Sequence, residues 1–147
     1  MEIRQATLAD EKAVCRLWSL LLKFYNKQPS LEVLQCSFRY AVDHPRKVLI
    51  FIILIEGVVT GTVSLQMGHF STWNNNWYGH LEDLIIDPAY RGRGAAEKLI
   101  NHAVKEAREN NLARLELSAL NDNGKARRLY EKLGFTTNSV VYELPLY

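Results

Sequence analysis

The chain has 147 residues, of which 48% are apolar and 23% are charged, and its formal net charge is +2. This length suits one domain over residues 1–147 with a single hydrophobic core, and the composition is typical of a soluble globular protein. The small net charge gives no support for binding to nucleic acid or to an anionic membrane. We therefore expect any preference for anions to be local.

The start of the chain lacks the apolar stretch of a secretory signal, and the longest apolar run, Val48–Ile55, is far too short to span a bilayer. A cytoplasmic protein is therefore expected. Cys15 and Cys36 fall inside helical patterns without a Cys-x-x-Cys or a nearby histidine cluster. This favours buried free thiols over a disulfide or a metal site.

The first half of the chain alternates short strands with amphipathic helices. Residues 2–6 read as a strand, and residues 7–10 offer a capping box for a helix whose apolar stripe belongs in the core. The stripe consists of Val14, Leu17, Trp18, Leu21 and Tyr25. A second helix is predicted over residues 31–43, ended by His44-Pro45, and residues 47–55 and 58–68 predict a hairpin turning at Glu56-Gly57.

Aromatic and asparagine side chains mark a loop over residues 69–76, which suits a pocket rim, an interface or a packed surface turn. A fourth strand follows, then a helix over residues 94–110, a strand over 113–119, a helix over 123–133 and a terminal strand over 139–146. This order predicts an α/β fold in which a mixed, largely antiparallel sheet of six or seven strands carries helices on both faces.

Residues 80–96 form the most informative stretch: a buried strand, a breaker at Asp87-Pro88, and a glycine-containing turn that opens a long helix. Glycines let the backbone approach an anion closely, and the first amides of a helix point at it. Arg91 and Arg93 add positive charge. The stretch therefore predicts a phosphate site, with a plain strand-to-helix connector as the alternative.

Two other phosphate motifs fit poorly. A Rossmann fingerprint requires a small residue where Glu97 stands, and a P-loop requires a Gly-Lys-Ser/Thr that is missing. An Arg-Gly nucleic-acid tail is also disfavoured, because this pair lies between a strand and an amphipathic helix and is not repeated. What remains is Arg/Gln-x-x-Gly-x-Gly/Ala, met by Arg91, Gly94 and Ala96.

This motif resembles the pyrophosphate loop of the GNAT superfamily of acyl-CoA N-acyltransferases. A second stretch downstream, with Asn123, Ala126, Leu129-Tyr130 and Gly134-Phe135, is similar to the rest of that superfamily's signature. The resemblance extends over essentially the whole chain. It implies a GNAT fold splayed between strands four and five, and an N-acetyltransferase that uses acetyl-CoA.

The resemblance also assigns positions for acetyl-CoA. The pantetheine arm would hydrogen-bond the backbone of strand four, with help from Asn123, and the pyrophosphate would lie on the amides of the glycine turn. The residues assigned to cofactor binding are Leu84, Ile85, Ile86, Arg91, Gly92, Arg93, Gly94, Ala95, Ala96 and Asn123. No metal is expected, because His69, His80 and His102 lie on different elements without ligand spacing.

Acyl transfer to an amine needs a base near neutral pH and a proton donor for the leaving thiolate. Leu81-Glu82-Asp83 is similar to the polyamine and glucosamine-6-phosphate N-acetyltransferases, and the resemblance assigns the base to Glu82, acting through water. Adjacent strand residues face opposite ways, so Asp83 is expected to be a structural acceptor, with reversed roles as the alternative. Tyr130 is the expected acid.

The resemblance identifies the acceptor amine less closely than it identifies the cofactor. The resemblance places the acceptor pocket around residues 24–31 and 69–78, with Tyr25, Trp73, Trp77, His80 and Asp83 as substrate contacts. These residues fit a small amine with hydroxyl or phosphonate groups, or a polyamine. A non-catalytic acyl-CoA module and an enzyme acting on a peptide amine stay open as alternatives. Many relatives are dimers, and the aromatic loop or the terminal strand could supply an interface.

Overall fold

The computed structural model describes residues 1–146 and divides the chain into two compact units, Met1–Glu116 and the segment from Leu117 onward. No helix in residues 1–146 has the length and apolar character needed to cross a membrane. The helices are α1 (Glu11–Phe24), α2 (Leu31–Asp43), α3 (Ala95–Glu109) and α4 (Gly124–Lys132). The strands are β1 (Glu2–Gln5), β2 (Val48–Ile55), β3 (Val58–Ser71), β4 (Asn76–Ile86) and β5 (Leu115–Leu117).

The strands form one mixed sheet in the order β1-β2-β3-β4-β5, antiparallel as far as β4 and parallel between β4 and β5. Helices cover both faces, as predicted. Ile50 and Ile52 belong to the core that α1 and α2 build, whereas the ring of Phe51 lies 4.8 Å from that of His102 on α3. A strand buried on both faces reads as a continuous apolar run, which explains the composition of β2.

The strand count is lower than the six or seven predicted, because residues 139–146 are not a strand in the described structure. Their large apolar side chains are 67 to 92% exposed. These side chains are Val140, Val141, Tyr142, Leu144 and Leu146. Alternating apolar residues indicate an extended segment with one apolar face, but a strand exists only where a neighbouring strand supplies hydrogen bonds.

Two further expectations need correction. The aromatic loop is shorter than predicted, because β3 continues to Ser71 and β4 starts at Asn76, with the rings of Phe70 and Trp77 paired 5.3 Å apart. Cross-strand aromatic pairs of this kind extend a hairpin. Cys15 is a buried free thiol as expected, whereas Cys36 is free but exposed. Helix α2 buries Leu34, and two residues farther along a helix the side chain points to the other side.

A β-bulge interrupts the pairing of β3 with β4. Ser64 pairs with Glu82 and Thr62 pairs with Ile85, so that Asp83 and Leu84 together lie opposite a single residue of β3. Asp83 has a φ angle of +55°, in the left-handed region. Such a bulge bends its strand and re-aims the side chains beside it.

Gly61 allows β4 to lie close against β3 beyond this bulge. A Cβ atom at Gly61 would lie 2.9 Å from the carbonyl oxygen of Ile85 and 3.0 Å from Cγ2 of Ile53. We expect Gly61→Ala to lower the free energy of unfolding by about 1–3 kcal/mol, because β4 must shift to admit the methyl group. Urea unfolding followed by circular dichroism measures this loss.

Gly68→Ala is the matched control on the same strand, since a Cβ there meets no atom within 4 Å. Its stability should change by no more than about 0.5 kcal/mol. Equal losses in the two variants would contradict the proposed close approach at Gly61.

Candidate active site

The bulge gathers two carboxylates near one phenol. Burial raises the pKa of the Tyr25 hydroxyl, and the negative charges of Glu82 and then Asp83 raise it further. Tyr25 caps the end of α1, so the structure brings together three of the predicted site residues from two elements. The expected separation of Glu82 and Asp83 onto opposite faces assumed a regular strand, and the bulge removes that regularity.

Asp83 occupies the more enclosed position of the two. Burial raises the pKa of its carboxyl group, the neighbouring charge of Glu82 raises it further, and a hydrogen bond from Ser64 opposes both. In that bond Ser64 Oγ donates to Asp83 Oδ2 over 3.3 Å. The carboxyl group therefore titrates closer to neutrality than an exposed aspartate does.

Glu82 belongs to a chain of ionisable side chains. The Nδ1 atom of His80 lies 3.3 Å from Glu82 Oε1, and its Nε2 atom lies 3.3 Å from Glu116 Oε2. Arg114 Nε donates in turn to Glu116 Oε1 over 2.9 Å. An imidazole held between two carboxylates fixes the position of Glu82 and can carry a proton between them.

Glu116 and Arg114 were not among the residues predicted from the sequence. Both lie at or beside β5, and Glu116 reaches His80 only because β5 is the neighbour of β4 in the sheet. Alternation along residues 113–119 could have placed Glu116 on one face, but sheet order is needed to identify its partner. Within residues 1–146, no group of three or more histidine, cysteine or acidic side chains is arranged to hold a metal ion.

Two of the predicted aromatic contacts, Trp73 and Trp77, lie at the start of β4 or just before it. The guanidinium of Arg114 lies 3.7 Å from the centre of the Tyr78 ring and 5.7 Å from that of Trp73. Trp77 contacts Phe70 instead, and its side chain is half exposed. The rings of Tyr78 and Trp73 therefore flank the arginine that holds Glu116.

The glycine turn has the backbone that an anion site requires. Gly92 and Gly94 both have a φ angle of +77°, and neither has an atom within 4 Å of where a Cβ would stand. Helix α3 begins at Ala95 with Gly94 as its N-cap, which leaves the amides of its first turn without partners inside the helix. Arg91 Nε donates to the carbonyl of Ile86 over 3.0 Å, which ties the turn to the end of β4.

The segment of β4 between the bulge and this turn is nearly all core. Ile85 and Ile86 are buried and pair with Thr62 and Gly61 of β3. Because backbone groups alternate in direction along a strand, half of those in Leu84, Ile85 and Ile86 point away from β3. At the other end of β4, the amide of Gly79 donates to the carbonyl of Arg114 over 3.0 Å, and the amide of Ala113 donates to the carbonyl of Trp77 over 2.8 Å.

The second unit contains the other two predicted residues. Asn123 is the N-cap of α4, and its side-chain oxygen accepts a hydrogen bond of 3.2 Å from the amide of Ala126. Tyr130 lies on the same helix, with its ring centre 6.3 Å from that of Phe135. Tyr130 and Phe135 are also joined by a backbone hydrogen bond of 3.0 Å.

Comparison with known proteins decides the family. Residues 14–135 match the model of the acetyltransferase (GNAT) family. This chain belongs to the GNAT family. It is an N-acetyltransferase of a family that uses acetyl-CoA.

Relatives of this GNAT protein match along nearly its whole length. It is 28% identical over 134 residues to the aminoalkylphosphonate N-acetyltransferase of Salmonella typhimurium, covering 91% of this chain and 84% of that one. A crystal structure of a probable acetyltransferase superposes with a TM-score of 0.90 at 25% identity, covering 100% and 99% of the two chains. A predicted acetyltransferase from Clostridium acetobutylicum, solved with acetyl-CoA, shares the fold with a TM-score of 0.82 at 22% identity, over 99% and 96% of the chains.

Proposed function

We propose that this protein transfers the acetyl group of acetyl-CoA to a primary amine of a small molecule, directly and within a ternary complex. The observation that carries the proposal is the bulge in β4. It gathers Glu82 and Asp83 at one irregular point of the strand, near enough to Tyr25 for their negative charges to raise its pKa, and the same strand runs into the glycine turn. One strand thus supplies both a proton acceptor and a route to the phosphate site.

Acetyl-CoA binds mainly to the backbone in this proposal. Its pyrophosphate lies on the amides of residues 92–96, where two left-handed glycines leave room for an anion. Its pantetheine arm follows the outward-facing backbone groups of Leu84, Ile85 and Ile86, and Asn123 contributes a side-chain contact. Arg91 shapes the turn through Ile86, and both Arg91 and Arg93 add positive charge.

Glu82 acts as the general base in this proposal. The acceptor arrives as an ammonium ion, and Glu82 takes its proton through a water molecule, so that the neutral amine attacks the thioester carbon. Tyr130 donates a proton to the departing thiolate, since a phenol hydroxyl is a proton donor that can neutralise a thiolate held close by. The contact with His80 supports Glu82, because it holds the carboxylate and offers the proton a way out.

Thiol release is the direct test. The enzyme is incubated with acetyl-CoA and a panel of small amines, amino sugars, polyamines and a peptide N-terminus, and free thiol is followed. Calorimetry measures acetyl-CoA binding in parallel. Turnover on a small amine supports the proposal, whereas tight binding without turnover on any amine would favour the alternative, a non-catalytic acyl-CoA-binding regulatory module.

The same panel separates two further alternatives. Turnover confined to the peptide would indicate an acetyltransferase acting on protein amines. A stable acetyl adduct formed with acetyl-CoA alone and then passed to an amine would contradict direct transfer. The exposed thiol of Cys36 is the group to examine in that event.

Location and assembly complete the proposal. We place the enzyme in the cytoplasm, where free thiols such as Cys15 and Cys36 stay reduced. We also propose a homodimer, supported by the exposed apolar side chains of residues 140–146, since contiguous apolar surface suits an interface. Sedimentation equilibrium measures the mass directly, and a monomer at micromolar concentration would contradict this part.

A further inference from the structure

A cavity of about 490 Å³ lies beside the carboxylate pair. It is an open cleft lined by residues of α2, β2 and β3 and by the bulged residue of β4. The lining residues are Cys36, Ser37, Tyr40, Ala41, Val48, Ser64, Gln66 and Asp83. Its volume is within the range typical of small-molecule sites.

Several hydrogen-bond acceptors face this cavity, beside the hydroxyl of Tyr40 and the side-chain amide of Gln66, which can donate as well as accept. Ser37 Oγ already donates to the carbonyl of Val33 over 2.9 Å, and Ser64 Oγ already donates to Asp83 Oδ2. A hydroxyl group has one proton to give, so both serines have only lone pairs left for a ligand. Asp83 adds a carboxylate, which is an acceptor alone when ionised.

Charge in the cavity has one sign. Of the lining residues in the described structure, Asp83 is the one with an ionisable carboxyl or basic group, and Glu82 is its chain neighbour. The arginine of α2, Arg39, is held by Glu11 through a contact of 2.6 Å. Lys23 and Lys27 line a separate cavity of about 300 Å³ with Ser19, Gln28 and Pro29.

We infer that this cavity binds the acceptor, and that the acceptor is a primary amine without a phosphate, phosphonate or carboxylate group, selected through Asp83. The inference rests on the proposed function and narrows it. An ammonium ion and hydroxyl groups supply the donors that the serine oxygens and Asp83 require. A phosphate supplies only acceptors and adds negative charge beside two carboxylates, which disfavours it.

Matched pairs of acceptors test this selectivity on the unmodified enzyme. Glucosamine is compared with glucosamine 6-phosphate, and 3-aminopropanol with 3-aminopropylphosphonate, with thiol release as the readout. We expect kcat/KM to favour the member without the anionic group in each pair by about tenfold or more, since like charges at close range repel at this scale in a partly wet site. A preference for the phosphorylated or phosphonylated member would overturn the inference.

The Asp83→Asn variant tests the role of Asp83 in this selectivity. The variant keeps the size of the side chain and, like aspartate, asparagine tolerates a left-handed backbone. The ratio within each pair should fall toward one, chiefly through a lower KM for the member that carries the anionic group, because the variant removes one of the negative charges that repel it. Asp43→Asn is the control, because Asp43 ends α2 in an exposed position and does not line the cavity.

Each remaining outcome has one meaning. An unchanged ratio in Asp83→Asn would overturn the role of Asp83, as would loss of turnover on every acceptor in a folded variant. Thiol release from no acceptor at all by the unmodified enzyme would instead contradict the proposed function, and the inference with it. The two failures are therefore distinguishable in one assay.

Discussion

Glu82→Gln is expected to lower kcat/KM by about 10² to 10⁴-fold at neutral pH, as is typical for loss of a general base. Acetyl-CoA affinity should stay nearly unchanged, because the proposed base faces the acceptor. The deficit should shrink as pH rises, since more of the amine is then already deprotonated. Initial rates of thiol release between pH 6 and pH 10, with calorimetry for acetyl-CoA, check all three points.

Two variants accompany this measurement. Glu2→Gln removes an exposed strand carboxylate on β1 and should leave the rate unchanged. Tyr130→Phe should slow turnover without recovery at high pH, because it removes a proton donor that hydroxide cannot replace. If Glu82→Gln were active and Asp83→Asn inactive, the roles assigned to the two carboxylates would be reversed. If both variants were fully active, the base would lie outside β4.

Gly94→Val is expected to weaken acetyl-CoA binding by about tenfold or more. Gly94 is left-handed at +77° and caps α3, so a branched side chain would both strain the turn and occupy the approach to the first amides of the helix. Calorimetric titration with acetyl-CoA measures the loss. Titration with coenzyme A should show the same loss, because the pyrophosphate is common to both.

The Gly57→Val variant distinguishes the effect of backbone strain from a direct effect on acetyl-CoA binding. Gly57 has a φ angle of +78° in the hairpin turn between β2 and β3, and it too has no neighbour within 4 Å of a Cβ position. Both variants should therefore lose similar stability in thermal unfolding. If Gly57→Val weakened acetyl-CoA binding as much as Gly94→Val, the phosphate site would not be at the glycine turn.

Local signals predicted much of the fold. Helix α2 spans Leu31–Asp43, as predicted, since Ser30 caps it by accepting from the amide of Val33 and His44-Pro45 stops it. The hairpin at Glu56-Gly57 also follows from a turn signal inside the sequence. Each of these features depends on residues that are close together in the chain.

The candidate site was only partly predictable, because it depends on pairing between strands. The residues of the bulge depend on how β3 aligns with β4, and nothing in residues 80–86 alone shows that Asp83 and Leu84 share one partner. The contact of Glu116 with His80 likewise requires the sheet order. The strand predicted over residues 139–146 was wrong for the same reason. The alternation of apolar residues is visible in the sequence, but whether a neighbouring strand pairs with it is not.

The left-handed backbone conformation of Asp83 limits which substitutions the fold tolerates at this position. At +55°, most residues cost about 1–2 kcal/mol, whereas glycine, asparagine and aspartate are tolerated. Glutamate, or a basic residue that could bind an anion, would therefore lower the stability of the fold at this position, whereas glycine, asparagine and aspartate would not. A lineage that changed its acceptor would have to accept that penalty, move the bulge, or recruit its positive charge from another strand.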